Sequence, residues 1–167
     1  MPISPESQYL MLNFLSRTPV IPARPNILLV DDDRDIRIVT NLVLLTNGLG
    51  TALEASTGQE GLTMARQHRP DVILLDFKLP DLSGEKVLQS LKADPRTRDI
   101  PVVFFTAHAM DRHPLRTLPV AGLVLKPFQP LELCDVVRRA IKGAAHQSPP
   151  EWPGKSYVSP RLRQAAV

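Results

Sequence analysis

The stretch Val72-Ile73-Leu74-Leu75-Asp76 decides the fold that we expect for this chain. A continuous apolar run of this length predicts a strand buried on both faces, as in a parallel sheet, and here it ends directly on a carboxylate. Three other apolar runs also end on polar side chains: residues 27–30 precede Asp31-Asp32, residues 102–105 precede Thr106, and residues 123–125 precede Lys126. Because the carboxyl ends of parallel strands face one crevice, we expect these polar groups to gather there.

Helical patterns lie between the apolar runs. The first begins at about Arg34, carries Ile36, Val39 and Val43 at helical spacing, and stops at Asn47-Gly48. Later helices are predicted over residues 58–68, from Val87 with Leu88 and Leu91 inward to Asp94-Pro95, and around the stripe Leu131, Cys134, Val137 and Ile141. Residues 51–55 and 123–125 are weaker strands, which suits sheet edges. The alternation predicts a doubly wound α/β domain with a five-stranded parallel sheet of order 2-1-3-4-5 and helices on both faces.

The chain divides into one domain and two atypical ends. The α/β pattern covers residues 26–143, whereas five of the 17 prolines lie in residues 1–25. In this N-terminal extension an apolar run at residues 9–15 follows a cap-and-proline start, which predicts a short helix. That helix could dock on the domain or pair with another copy, and the extension could also be an unstructured leader. Residues 144–167 predict a mobile, proline-containing tail.

Composition argues against several classes of protein. The net charge of +3 comes without a long basic run, so nucleic-acid binding would rest only on Lys155, Arg161 and Arg163 in the tail. Cys134 is the only cysteine, which excludes an intrachain disulfide and fits a reducing compartment. No run approaches the ~20 apolar residues of a membrane span, and the first residues lack a signal-peptide pattern. We therefore expect a cytoplasmic protein without membrane or nucleic-acid partners.

Four motifs occur in order at the ends of the predicted strands. They are Ile27-Leu-Leu-Val-Asp-Asp-Asp33, Pro70-Asp-Val-Ile-Leu-Leu-Asp-Phe-Lys-Leu-Pro-Asp-Leu-Ser-Gly84, Ile100-Pro-Val-Val-Phe-Phe-Thr-Ala107 and Ala121-Gly-Leu-Val-Leu-Lys-Pro-Phe128. Each motif on its own would suit an ordinary role, such as a helix cap, a strand end or a solvated lysine. Together they resemble the receiver domain of two-component response regulators, the CheY-like family with a flavodoxin-like fold. The resemblance covers about residues 25–143 and neither tail.

The resemblance implies a cation site. Asp32, Asp31 and Asp76 would hold Mg²⁺, or Mn²⁺ in its place, with the backbone carbonyl of Lys78 as a further ligand. Magnesium prefers oxygen ligands and keeps several waters, which suits a set of three carboxylates. Without a cation these carboxylates repel one another, so one of them should have a raised pKa. Asp33 is expected at the N-terminus of the following helix rather than among the ligands.

The resemblance also implies phosphoryl transfer. Asp76 would be the phosphoacceptor, because this reaction needs mainly positioning and charge neutralisation around a carboxylate nucleophile. Lys126 would pair with the acceptor carboxylate or its phosphoryl oxygen, and the Lys126-Pro127 bond is a candidate cis peptide. Thr106 would hydrogen-bond a phosphoryl oxygen and move toward the site on phosphorylation, driven by the added charge.

The chain departs from the family pattern in two places that bear on its output. Leu123 stands where the family usually has an aromatic residue that couples to the movement of Thr106. The segment between the fourth and fifth strands is short and contains Pro114 and Pro119, which disfavour a regular helix. We therefore expect a different output surface on the first helix, the last helix or the N-terminal extension, and any homodimer to use a non-standard face. Lys78 and His108 flank the phosphoryl position and are expected to alter the lifetime of the phosphoaspartate.

The function that follows is that of a stand-alone response regulator. It would take a phosphoryl group from a sensor histidine kinase onto Asp76. It would then signal through protein contacts or pass the group to a histidine phosphotransfer protein. Apart from catalysing its own phosphorylation and dephosphorylation, it would not be an enzyme. The alternative is a receiver-like interaction scaffold that acts without phosphorylation, which Leu123 and the altered segment keep open.

Overall fold

The computed structural model describes residues 24–107 and 118–144 of the chain. Three expectations lie outside these ranges: the short N-terminal helix, the irregular segment around His108, Pro114 and their neighbours, and the tail from residue 145. Within the described residues no helix is both long and apolar enough to cross a membrane.

Five parallel strands form a single sheet in the order β2-β1-β3-β4-β5, as the sequence predicts. The three inner strands are almost fully buried, whereas Glu54 in β2 is exposed and β5 is mostly half-buried. The strands that appeared weak in sequence are therefore the two edges of the sheet. The bounds are β1 Ile27–Val30, β2 Ala52–Ala55, β3 Val72–Leu75, β4 Val102–Thr106 and β5 Gly122–Leu125.

Four helices connect and cover the strands in the described residues. Their bounds are α1 Arg34–Thr46, α2 Gly58–His68, α3 Gly84–Ala93 and α4 Pro130–Ala144. Side chains cap the first three: Asp33 accepts from two backbone N–H groups of α1, Thr57 from one of α2, and Ser83 from one of α3. Such caps satisfy N–H groups that have no partner within the helix, so each helix start is set locally by the sequence.

Successive residues of each strand point to opposite faces of the sheet and build two separate cores. Leu28 and Val30 of β1 pack in the core that includes apolar residues of α2 and α3. Ile27 and Leu29 pack in the core shared with α1 and α4, where Cys134 is also buried. Burial raises the pKa of the Cys134 thiol, which agrees with a packing role. The prediction of helices on both faces is confirmed.

The predicted inner faces of two helices are confirmed except at one residue each, Val39 and Leu131. In α1, Thr40 and Leu44 are fully buried, whereas Val39 is 48% exposed. Apolar residues occur nearly all round this helix, so helical spacing alone did not select the face that meets the sheet. In α4, Leu131 is 69% exposed because it lies on the side of the helix opposite to the buried Leu133 and Ala140.

The hydroxyl of Thr40 generates a prediction about stability. It is buried against the sheet, and its oxygen has no hydrogen-bond partner among the described residues. Replacing it by an isosteric methyl group removes the desolvation cost, so Thr40→Val should raise the free energy of unfolding by about 1 kcal/mol. Urea denaturation measures this, with Thr46→Val as control, since the Thr46 hydroxyl is exposed and donates to Leu42 O at 2.9 Å. A less stable Thr40→Val protein would contradict the assignment.

Gly84 brings the start of α3 unusually close to the end of β3. Its N–H donates to the carbonyl of Phe77 at 2.8 Å. A Cβ atom at this position would lie 2.5 Å from the carbonyl oxygen of Asp76 and 2.8 Å from Cα of Phe77. Both are backbone atoms that cannot rotate away, so only glycine allows this approach.

Gly84→Ala should therefore push the backbone at Asp76 aside and lower the free energy of unfolding by about 1–3 kcal/mol, the usual range for overpacking a buried site. The matched control is Gly143→Ala near the end of α4, where a Cβ would meet nothing within 4 Å. Chemical denaturation should show a stability equal to or above wild type for the control. Equal stability of Gly84→Ala and wild type would show that the loop after Asp76 can relax.

Candidate functional site

The backbone at the crevice is held by the same hydrogen bonds that pair the strands. Directly after β1, the N–H of Asp31 donates to the last carbonyl of β2 at 3.0 Å; after β3, the N–H of Asp76 donates to the last carbonyl of β1 at 2.8 Å. After β5, the N–H of Lys126 donates to the carbonyl of Thr106 at 2.8 Å. Parallel pairing thus continues one residue beyond three strand ends, which fixes the positions from which these side chains project.

Asp31, Asp32 and Asp76 form the acidic cluster that the sequence predicts. Each offers a carboxylate oxygen, and these oxygens all lie within 4.8 Å of one another. Asp31 and Asp76 are buried, whereas Asp32 is exposed. A set of hard oxygen donors with one side open to water fits a divalent cation such as Mg²⁺, which needs few protein ligands and keeps bound water.

The carboxyl group of Asp31 has a raised pKa, and burial is the largest cause. The hydrogen bond and charge of Lys126 act in the opposite direction, and so does the N–H of Asp33, which donates to Asp31 Oδ1 at 3.0 Å. The charge of Asp76 is the smallest contribution. One carboxyl of the cluster therefore has the raised pKa that we expected, but mainly through desolvation rather than repulsion between carboxylates.

Lys126 is placed between the two buried carboxylates. Its Nζ donates to Asp31 Oδ2 and, at 2.8 Å, to Asp76 Oδ2, and its side chain is only 8% exposed. An ammonium has three protons, and Nζ also lies 4.8 Å from the ring centroid of Phe105, where a cation–π contact forms. The Phe128 ring packs edge-on against Phe105 at 5.0 Å. The predicted cis Lys126-Pro127 bond is confirmed.

Asp76 is held from its other side by the loop that follows it. The N–H of Lys78 donates to Asp76 Oδ1 at 3.3 Å, and Lys78 forms an antiparallel bridge with Ser83 before α3 begins. With Lys126 on one oxygen and the Lys78 N–H on the other, the Asp76 carboxylate has a defined orientation. The carbonyl of Lys78 as a cation ligand stays a prediction.

Thr106 lies at the end of β4 and is 1% exposed, and its carbonyl accepts the hydrogen bond from the N–H of Lys126.

Leu123 pairs in register with Phe104 on the neighbouring strand and packs, half-buried, in the core on the α2–α3 side of the sheet. A leucine in this position has no polar tip to carry to the surface, unlike the tyrosine or tryptophan that an aromatic position can hold.

Two charged residues near the cluster have structural roles. Asp33 accepts from the N–H groups of Asp35 at 2.9 Å and Ile36 at 3.2 Å, which confirms its place at the start of α1. Sequence reasoning missed Arg37, whose guanidinium donates to the carbonyl of Asp31 at 2.7 Å and pairs with Glu54 at 2.9 Å. The only sequence signal was Glu54, an acidic residue inside a predicted edge strand.

Comparison with known proteins extends these observations. The model of the response regulator receiver domain family matches residues 27–138. The chain is 35% identical over 118 residues to the phosphate regulon transcriptional regulatory protein PhoB of Escherichia coli strain K12, a match that covers 70% of this chain and 51% of PhoB. It is 36% identical over 121 residues to the DNA-binding response regulator MtrA of Mycolicibacterium smegmatis, covering 71% and 51%. The chain thus spans about half the length of these curated relatives.

Solved structures agree with the sequence comparison. The receiver domain of a sensor histidine kinase from Pseudomonas aeruginosa PAO1, solved with a magnesium ion coordinated in the active-site cleft, superposes with a TM-score of 0.66 at 27% identity and covers 72% of this chain and 99% of that chain. The chemotaxis response regulator CheY4 of Vibrio cholerae shares the fold, with a TM-score of 0.64 at 24% identity over 71% of this chain and 99% of that chain. From the match over residues 27–138 and the five-stranded sheet in the order β2-β1-β3-β4-β5, we conclude that the chain belongs to the family of response regulator receiver domains of two-component systems.

Proposed function

We propose that this receiver accepts a phosphoryl group on Asp76, with Mg²⁺ as its cofactor and a sensor histidine kinase as its donor. The observation that carries the proposal is the position of the Asp76 carboxylate. It lies within the acidic cluster and accepts a hydrogen bond of 2.8 Å from the buried ammonium of Lys126. Phosphoryl transfer depends mainly on positioning and on neutralising charge, and this arrangement supplies both.

In the transfer step an oxygen of Asp76 attacks the phosphorus of a phosphohistidine. The new P–O bond makes an acyl phosphate, the P–N bond breaks, and the histidine ring nitrogen leaves with the electron pair and takes up a proton. Lys126 and the N–H of Lys78 hold the two oxygens of Asp76, which fixes the carboxylate for an in-line approach. Asp31, Asp32 and Asp76, with the carbonyl of Lys78, would hold Mg²⁺ or Mn²⁺, which would supply positive charge for the phosphoryl oxygens. Thr106 would then donate its hydroxyl to one of those oxygens.

The output is proposed to run through protein contacts or through transfer to a histidine phosphotransfer protein. DNA-binding is the function of the longer relative MtrA, which this chain matches over about half its length. That the chain acts alone, that it stays in the cytoplasm, and that any homodimer uses a non-standard face remain predictions. The half-buried Leu123 supports an output that does not depend on an aromatic switch residue.

The acidic cluster generates a prediction about metal binding. Mg²⁺ should raise the melting temperature of the wild-type protein, because a ligand that binds only the folded state stabilises it by about 2.7 kcal/mol at 100 times its Kd. Asp32→Asn should lose most of this rise, since one exposed ligand charge is removed without disturbing the core. Asp99→Asn is the control, because the side chain of Asp99 is 89% exposed and outside the cluster. Thermal denaturation with and without Mg²⁺ gives the three values.

The same rise should shrink as the pH falls. A raised pKa means that Asp31 takes up a proton at a higher pH than an ordinary carboxyl, and protonated Asp31 competes with the cation. An equal Mg²⁺ effect in wild type and Asp32→Asn at neutral pH would contradict the proposed ligand set.

Phosphorylation is tested by intact-mass measurement after incubation with Mg²⁺ and acetyl phosphate, and separately with a phosphorylated sensor kinase. Wild type and Asp99→Asn should gain the mass of one phosphoryl group, and Asp76→Asn should gain none, because an amide oxygen cannot form the acyl phosphate. Omitting Mg²⁺ should abolish the adduct in every sample.

An adduct on Asp76→Asn would show that another residue is the acceptor. A wild-type protein that binds Mg²⁺ and yet gains no phosphoryl group from either donor would favour the alternative function, a receiver-like scaffold that binds its partners without phosphorylation. Failure of Mg²⁺ binding and failure of phosphoryl transfer can be told apart, because the melting experiment with Mg²⁺ uses no phosphodonor.

A further inference from the structure

Helix α1 presents an apolar stripe to solvent. Ile38, Val39, Leu42 and Leu45 are 51%, 48%, 59% and 48% exposed, and we call these four residues the α1 stripe. Positions 38, 42 and 45 follow helical spacing, so they lie on one side of the helix. Among the described residues the only other exposed large hydrophobic side chain is Leu131, on α4.

The α1 stripe is not needed to attach the helix to the domain. The opposite side of α1 already packs on the sheet through Thr40 and Leu44, which are fully buried, with Ile36 and Val43 partly buried beside them. Contiguous exposed apolar surface on a soluble domain marks candidate interaction sites, so this row is a candidate docking surface.

The chain itself enters the domain beside one end of this helix. α1 ends at Thr46 with Asn47 as its cap, and Gly50 follows three residues later. The side chain of Arg24 lies against Gly50, with its Cδ 3.2 Å from the point where a Cβ of Gly50 would be. Residue 24 therefore lies close to the end of α1 that carries Leu45, and the preceding residues must depart from there.

Those preceding residues contain a matching apolar segment. Residues 9–15 read Tyr-Leu-Met-Leu-Asn-Phe-Leu, and eight residues, two of them prolines, separate this segment from Arg24. Eight extended residues span up to about 28 Å. Since α1 has 13 residues, it is about 20 Å long, so the segment can reach any part of the α1 stripe.

We propose that residues 9–15 pack in cis on the α1 stripe. The tether favours this occupant over a second copy of the chain, because a short linker gives an effective concentration of the order of millimolar. The proposal concerns the N-terminal extension alone and does not depend on phosphoryl transfer at Asp76.

Disulfide trapping in the full-length chain tests the contact. Leu12→Cys or Leu15→Cys is combined with Leu42→Cys, and Cys134 does not compete because it is buried. Mild oxidation should give an intramolecular crosslink, seen as a monomer of increased mobility on non-reducing gels at every protein concentration. The control pairs the same N-terminal cysteine with Leu131→Cys, a leucine on α4 that is at least as exposed as Leu42, and should give little or no crosslink.

A thermal double-mutant cycle gives an independent measurement. Leu12→Gln with Phe14→Gln changes the segment, and Leu42→Gln with Leu45→Gln changes the stripe, so both sets leave the inner core intact. If the two surfaces touch, the fourfold variant should melt at least about 3 °C higher than the sum of the separate effects predicts. Additive effects, equal crosslinking to Leu131→Cys, or crosslinked dimers whose yield grows with concentration would each overturn docking in cis, and the last would assign the stripe to a second copy.

Discussion

The buried ammonium of Lys126 joins three strands of the sheet at the carboxyl end. Asp31 follows β1, Asp76 follows β3 and Lys126 follows β5. The ammonium of Lys126 therefore connects carboxylates that lie far apart in the chain. Two buried carboxylates side by side would be costly in a medium of low dielectric. The lysine ammonium reduces that cost, and removing one partner of such a buried pair generally destabilises a protein by about 3–5 kcal/mol. The position of this ammonium is therefore the constraint around which the rest of the crevice is arranged.

Several features fix the positions of the Lys126 ammonium and of the carboxylates around it. Backbone hydrogen bonds carry parallel pairing one residue beyond the strands, so the acidic residues and the lysine project from rigid positions. The ring of Phe105 contacts the lysine ammonium, and Phe128 packs edge-on against Phe105. Gly84 allows α3 to start directly against the backbone of Asp76. Side chains that project from strand ends in this way are preorganised, whereas the exposed Asp32 leaves one side of the cluster open to solvent, where the proposed cation and phosphoryl group would enter.

The two sides of α1 show how one helix can serve two purposes. Its inner side completes the core with Thr40 and Leu44, while its outer side carries a second row of apolar residues. A helix that is apolar nearly all round normally lies inside a protein. Here it lies on the surface of the described domain, and the proposed occupant of its outer side is the apolar segment at residues 9–15.

The sequence by itself determined the fold class and which polar residues meet at the carboxyl edge of the sheet. Continuous apolar runs ending on Asp31, Asp76, Thr106 and Lys126 were enough, because parallel topology brings all such ends to one edge of a sheet. Only the tertiary structure decided which side of α1 faces inward, since the apolar residues of that helix occupy several faces and the sheet selects among them. Only the tertiary structure showed that Arg37 donates to the Asp31 carbonyl and that burial, more than repulsion, raises the pKa of Asp31. Distances and desolvation depend on neighbours that are remote in sequence, whereas periodicity and strand ends are local.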